Sequence, residues 1–172
     1  MIVDFNIGWE FSGEHTYSAV VNLPHDAMLT EKRNPNCHNG KQSGYFPGGK
    51  YTYRKAFQIK SEWLNGKLEL LFEGVYQNCR VLVNEAEVCR HKYGYTEFTV
   101  DISKAVHAGE NQITVLVDNS LEPNCRWYSG SGIYRPVWLL VDELLTPKII
   151  TKSYDPAVIE VTADRSEEHT SE

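Results

Sequence analysis

Apolar and polar residues alternate with a period of two along most of this chain. The segments YSAVVNL (17–23), YTYRKAFQI (51–59), KLELLFEGV (67–75) and CRVLVNEAEV (79–88) carry the pattern. So do TEFTVDI (96–102), NQITVLVDN (111–119) and YRPVWLLV (134–141). Alternation places successive side chains on opposite faces of an extended backbone, so each segment predicts a half-buried β-strand. Val, Ile, Tyr, Phe and Trp populate them, as pleated surfaces prefer. Turn residues separate them at Asn65–Gly66, Ala108–Asn111 and Ser129–Gly132. Only SKAVHA (103–108) predicts a helical turn, too short to form a layer. Short strands divided in this way predict an all-β antiparallel sandwich, with a jelly roll as the expected architecture.

The stretch GYFPGGKYTYRKAF (44–57) sets glycines and a proline against aromatic rings before the alternation begins. It can be a sugar-stacking loop or a corner leading into a core strand, and the corner is the favoured reading. Glycine supplies the backbone angles that a sharp corner needs. Tyr51, Tyr53 and Lys55 are expected on one face of the strand. Thr52, Arg54, Ala56 and Phe57 are expected on the other, as the strand twists.

The pattern changes near residue 142. Segments containing KIITK and VIEV predict two more strands, too few to close a sheet of their own. The expected organisation is one domain over 1–141, then a linker and the start of a second β domain over 142–164, cut short. RSEEHTSE (165–172) differs in texture from what precedes it and reads as a non-native tail.

Composition narrows the function. Apolar residues make up 41% and charged residues 23%, enough to fill a core. The net charge of −6 disfavours nucleic acid as a partner, and the densest basic spot is only Glu31–Arg33. No apolar run is long enough to cross a bilayer, so no membrane partner is expected. The N-terminus MIVDFNIGWEF lacks a basic leader, so the expected location is cytoplasmic. Cys37, Cys79, Cys89 and Cys125 lack the paired short spacings of a zinc site and are expected as reduced thiols in or near the core. His91 and His107 have no metal-ligand spacing with them. No metal and no cofactor are expected. His25 and Asp26 are adjacent in a predicted extended segment and would point to opposite faces, so they read as structural.

Five blocks, in order, carry a resemblance: LPHDA (23–27), GYFPGGKYTYRKAF (44–57), LLFEGVYQNCRVLVN (70–84), YGYTEFTVDIS (93–103) and VDNSLEPNCRWYSGSGIYRPVWL (117–139). Together they resemble the N-terminal sugar-binding-like domain of glycoside hydrolase family 2, over residues 9 to 141. That family includes β-galactosidases, β-glucuronidases and β-mannosidases. The resemblance implies a jelly roll, then an immunoglobulin-like β domain, then a TIM barrel with two catalytic glutamates. The barrel is absent from this chain. A retaining glycosidase needs two carboxyls about 5–5.5 Å apart across the scissile bond. No catalytic residue is therefore expected here, and Glu69, Glu73, Glu85, Glu87 and Glu97 read as solvated strand positions.

The resemblance also singles out Asp118, which it implies binds sugar hydroxyls, with Asn119 as a weaker partner. A carboxylate can accept from two adjacent hydroxyls. An Asx turn at a strand end is the competing reading of DNS (118–120), and both stand. Where some β-galactosidases have an Asn before the loop proline, this chain has Phe46. Trp127 and Tyr128 are expected to anchor an interface with the barrel in preference to stacking on sugar. Arg54, Arg126 and Arg135 are expected to form structural ion pairs, with Asp26 as a candidate partner. The expected function is that of an accessory domain in a longer enzyme hydrolysing β-glycosides. Its partners would be a substrate shared with the missing barrel and further copies in a homo-oligomer. The alternative is a free-standing carbohydrate-binding module.

Overall fold

The computed structural model of the protein describes residues 1–14, 18–37, 40–121, 127–141 and 148–162. The strands in chain order are β1 (Ile2–Asp4), β2 (Trp9–Gly13), β3 (Ala19–Val21), β4 (Lys50–Ile59), β5 (Leu68–Phe72) and β6 (Cys79–Val83). They continue with β7 (Ala86–His91), β8 (Phe98–Asp101), β9 (Gly109–Asp118), β10 (Val137–Val141), β11 (Lys148–Tyr154) and β12 (Ala157–Thr162). Two antiparallel sheets build a jelly-roll sandwich: a four-stranded sheet ordered β1-β10-β5-β8 and a six-stranded sheet ordered β3-β2-β4-β9-β6-β7. β11 and β12 hydrogen-bond to one another, from Lys148↔Thr162 to Tyr154↔Ala157.

Alternation fills the space between the sheets. In β4 the side chains of Tyr51, Tyr53, Phe57 and Ile59 are buried, and in β9 those of Ile113, Val115 and Val117 are. Phe57 thus stays on the tyrosine face. The expected switch of faces does not occur, because β4 pairs without a bulge along its whole length with β9. Lys55 shares that inward phase at its margin. Its ammonium donates to the Ile7 carbonyl and lies 5.2 Å from the centre of the Phe5 ring, so the stem packs while the charge finds a polar partner.

Three stretches of the chain depart from the periodicity reading. The segment 79–88 is two strands, folded at Asn84 and Glu85 with φ of 48° and 69°. These are the left-handed values of a two-residue hairpin turn, which leaves the alternation unbroken and therefore invisible in the pattern. SKAVHA forms a turn closed by the Ala105 amide on the Ile102 carbonyl, not a helix. β1 and β2 were not predicted, although Trp9 and Phe11 of β2 are fully buried. The Trp9 indole N–H donates to the Phe5 carbonyl at 2.9 Å, which satisfies the one polar atom this large side chain carries inward.

β4 lies between β2 and β9, and the glycine-rich stretch forms the corner before it. Gly44 and Gly48 have φ of 67° and 68°. A Cβ on Gly48 would stand 2.8 Å from the Asn119 carbonyl oxygen, so the corner closes directly onto the end of β9.

Candidate functional site

Asp118 is the last residue of β9 and pairs with Lys50, the first residue of β4 after the corner. Its amide donates to the Gln77 carbonyl at 3.0 Å. Its own carbonyl accepts from the Asn78 side-chain amide at 3.3 Å. The strand end is therefore held on both sides. The carboxylate is half-buried, and its Oδ1 accepts from the Ser120 amide at 2.9 Å and the Ser120 hydroxyl at 2.5 Å. This is an Asx turn. Both donors sit on one oxygen, and a carboxylate has about four acceptor sites, so the turn and a ligand contact are compatible.

Asn119 points inward and is only 2% exposed. Its Nδ2 donates to the Ser131 hydroxyl at 2.5 Å and to the Gly130 carbonyl at 3.3 Å. Its Oδ1 accepts from Gln77 Nε2 at 3.5 Å, and its backbone amide donates to the Gly49 carbonyl at 2.9 Å. The geometry gives Asn119 an anchoring role at the junction of three loops. Successive residues of an extended chain face opposite ways, so one residue is presented and the next is buried.

The loop returning from β9 is bound to the LPHDA segment. The Asp26 carboxylate accepts from the Met28 and Ser131 amides, each at 3.0 Å, and from the Tyr128 hydroxyl at 2.5 Å. It caps the short 3-10 turn Ala27–Thr30 while gripping the loop. The backbones run alongside: the His25 amide donates to the Ile133 carbonyl and the Ala27 amide to the Ser131 carbonyl. Gly130 and Gly132, with φ of 70° and 101°, allow this approach. A Cβ on Gly130 would stand 2.9 Å from Asp26 Oδ2, and one on Gly132 would overlap the Tyr53 hydroxyl. Asp26 therefore holds backbone donors and a tyrosine. Among the described residues its partners are not Arg54 or Arg135; Arg135 instead stacks over the Tyr134 ring at 5.6 Å. Arg126 lies outside the described residues.

Beneath the clamp, His25 Nδ1 and the Tyr53 hydroxyl are 2.8 Å apart. Burial holds His25 below the ordinary imidazole range, opposed in part by the Asp26 charge. Burial also raises the Tyr53 phenol, while the Ile133 backbone hydrogen bond acts in the other direction. A neutral imidazole accepting at Nδ1 from the phenol, which itself accepts from the Ile133 amide, satisfies all three groups.

Aromatic rings stand on both sides of this floor. Tyr128 meets the Phe46 ring edge to face, with centroids 5.4 Å apart. Trp127 turns the opposite way and donates from its indole N–H to the Tyr95 hydroxyl at 3.0 Å. Tyr95 in turn meets Tyr93 at 5.7 Å and Tyr76 at 5.2 Å. Trp127 and Tyr93 are each 60% exposed. Their loop is braced from below, because Tyr134 donates to the Gly94 carbonyl at 2.7 Å and a Cβ on Gly94 would overlap the Tyr76 ring. The part that Tyr93, Tyr95 and Asp26 play in shaping this region does not follow from the sequence pattern. The YGY triplet, with a small residue between two rings, was the signal available for the first two.

The remaining candidates have structural surroundings. Glu69 pairs with Lys67, Glu87 bridges Arg80 and Arg90, and Glu73 accepts from the Trp138 indole at 2.7 Å. His91 stacks on Phe98, and His107 bonds the Ala108 carbonyl. Cys79 is buried, Cys37 and Cys89 are half-buried, and all three are free thiols; Cys125 lies outside the described residues. Among the described residues, no group of three or more His, Cys, Asp or Glu side chains is placed to hold a metal ion.

Residues 36–142 match the family described as glycosyl hydrolases family 2, sugar binding domain. The chain belongs to this family. Family 2 relatives include a beta-galactosidase of Bacteroides ovatus, 36% identical over 148 residues, covering 79% of this chain and 17% of that protein. A beta-galactosidase of Thermoanaerobacter pseudethanolicus is 33% identical over 147 residues, covering 80% of this chain and 19% of that protein. Among solved structures, a beta-glycosidase from Bacteroides vulgatus superposes with a TM-score of 0.81 at 32% identity, covering 97% of this chain and 24% of that one. The chain thus spans less than a fifth of the length of these two curated relatives.

Proposed function

We propose that this chain is the accessory sugar-binding domain of a longer family 2 β-glycosidase that cleaves O-glycosyl bonds of β-glycosides with retention. The observation that carries the reading is the family match over most of the sandwich, on a chain covering 17% and 19% of two relatives named as β-galactosidases. The acid and the nucleophile would come from a catalytic barrel outside this chain, two carboxyls about 5–5.5 Å apart. The chain alone would be inactive, and would need no metal or cofactor. Residues 1–141 would form the sugar-binding-like domain, and β11 and β12 the start of an immunoglobulin-like domain.

Asp118 would accept hydrogen bonds from substrate hydroxyls, with Ser120 fixing its rotamer and Asn119 fixing its backbone. Its half-exposure and the concentration of its internal side-chain partners on Oδ1 support this role. The floor would form one wall of a pocket completed by the barrel.

The test compares this chain with the longer protein that contains it, on p-nitrophenyl β-galactoside and β-glucuronide. The longer protein is expected to cleave at least one, releasing the β-anomer first, while the chain alone stays at background. Asp118→Ala in the longer protein is expected to raise KM at least tenfold without a change in fold. Turnover by the chain alone, or release of the inverted anomer, would overturn the proposal.

A further inference from the structure

We propose that Lys50 and Asp118 form a donor–acceptor pair that reads two adjacent hydroxyls of the sugar, which makes Lys50 a specificity-determining residue. The inference rests on the reading of Asp118 as a sugar contact. It adds the feature that the site selects, a pyranose whose neighbouring hydroxyls are both unsubstituted.

Lys50 and Asp118 stand directly opposite one another in the β4–β9 ladder, at the end where the glycine-rich corner enters the sheet. Their neighbours Tyr51 and Val117 are buried between the sheets. Alternation therefore turns both Lys50 and Asp118 to the outer face. Opposed residues of an antiparallel pair have Cβ atoms about 4.5–5.5 Å apart, so this ammonium and this carboxylate are within reach of one another. They do not pair. The Asp118 carboxylate is turned along the chain to Ser120, which occupies Oδ1 alone. Lys50 is exposed, and the ion pairs among the described residues are made by Lys60, Lys67, Arg80, Arg90 and Lys152. On the other flank Arg80 pairs with Leu116 on the same face, but its guanidinium is engaged by Glu87. Lys50 is thus the cation left beside Asp118.

Both strand ends are fixed in place. The Asn119 amide donates to the Gly49 carbonyl at 2.9 Å, and the Glu14 amide donates to the Lys50 carbonyl at 3.0 Å. The two charged groups are therefore presented side by side from a rigid ladder.

A sugar hydroxyl both donates and accepts, whereas a carboxylate only accepts and an ammonium only donates. Asp118 alone would leave the oxygens of the hydroxyls it receives without donors, which is costly once water is excluded. Lys50 supplies those donors. Two adjacent hydroxyls match the pair, one donating to Asp118 Oδ2 and its neighbour accepting from Lys50 Nζ, each in a charge-assisted bond. A substituent on either oxygen would remove one of the two bonds and obstruct the other.

The test is kinetic, in the longer protein, on the p-nitrophenyl glycoside it cleaves and on the singly deoxygenated analogues, one for each ring hydroxyl. Lys50→Met is expected to raise KM for the parent glycoside about tenfold while kcat changes by no more than about twofold. On the analogue lacking the hydroxyl that Lys50 reads, the same substitution should have no effect. Asp118→Ala should fall silent on the analogue lacking the neighbouring hydroxyl. Lys50→Arg should recover part of the lost affinity. In the 172-residue chain Lys50→Met should leave the urea midpoint unchanged, because the side chain is exposed. An unchanged KM in Lys50→Met, an equal rise on the parent and on every analogue, or silence of the two variants on hydroxyls that are not adjacent would overturn the pair. If Asp118→Ala raises KM and Lys50→Met does not, the pair fails while Asp118 stands as a sugar contact. If neither variant raises KM, both readings fail.

Discussion

The Asp26 carboxylate accepts a hydrogen bond from the amide of Ser131, 105 residues further along the chain, at 3.0 Å. One side chain thereby joins the segment after β3 to the loop before β10, and the same carboxylate fixes Tyr128 and caps the turn at Met28. Position 26 controls the shape of the candidate floor without facing ligand through its own oxygens.

Asp26→Ala should accordingly lower stability by about 2–3 kcal/mol, since it leaves three donors without their acceptor, some of them still reachable by water. Asp26→Asn retains one acceptor and should cost about half as much. Urea denaturation measures both. A loss below about 0.5 kcal/mol in the alanine variant would show that the clamp is incidental.

Two glycines with similar backbone angles should respond differently to alanine. Gly8 has φ of 76° and nothing within 4 Å of an added Cβ, so Gly8→Ala should cost only the left-handed strain, about 1 kcal/mol. At Gly132 the same strain adds to a clash with the buried Tyr53 hydroxyl, and the cost should reach about 3 kcal/mol or more. Tyr53→Phe should relieve part of the clash in the double variant. Thermal unfolding of the single and double variants separates the two contributions.

Stability should fall as pH drops below about 6.5, the usual imidazole value, before the carboxylates begin to titrate. His25 is held below that value by burial, so the unfolded chain binds the extra proton more readily. The stability linked to it is present above about pH 6.5 and is lost as pH falls toward the folded value. His25→Gln should flatten the unfolding midpoint between pH 7 and pH 5 relative to the parent chain. At the other end, Tyr51, Tyr53 and Tyr128 are all raised above the ordinary phenol, chiefly by burial. Their contribution is present below about pH 10 and should be lost as pH rises above it.

Burial pushes the Cys79 thiol up to about 12, while Cys37 and Cys89 are only half-buried. At pH 8 iodoacetamide should label Cys37 and Cys89 well before Cys79, which should react only in denaturant. Mass spectrometry of timed digests reads the order directly. Rapid labelling of Cys79 in the folded chain would contradict its place between the sheets.

Asn119→Ala should lower stability by about 2–3 kcal/mol, because Ser131, the Gly130 carbonyl and Gln77 lose a partner in a site sealed from water. An effect on sugar affinity alone, with stability unchanged, would instead mark Asn119 as a ligand contact.

How much of this was legible in the residues depends on the range of the interaction. The inward phase of β4 and β9 follows from alternation, because each residue's facing is fixed by its neighbours along the strand. Family membership follows from blocks such as SGSGIYRPVWL, and the Asx turn at Asp118 follows from DNS, a contact between residues two apart. The hairpin at Asn84–Glu85 escaped because a two-residue turn preserves the alternation on either side. Phe57 keeps the inward phase of Tyr51 and Tyr53 because the register of β4 with β9 is unbroken, and cross-strand register is not a local property of the sequence.

The sequence by itself determined an all-β sandwich and most of its strands, since those depend on period and local turn chemistry, and its ordered blocks carried the resemblance to the family. Only the tertiary structure decided that Asp26 serves Ser131 and Tyr128 in place of Arg54 or Arg135, that Asn119 is buried among internal partners, and that Trp127 and Tyr128 diverge to opposite aromatic clusters. These assignments depend on hydrogen bonds across 10 to more than 100 residues. Such bonds have no period, and form only when packing of the two sheets brings distant loops to one edge.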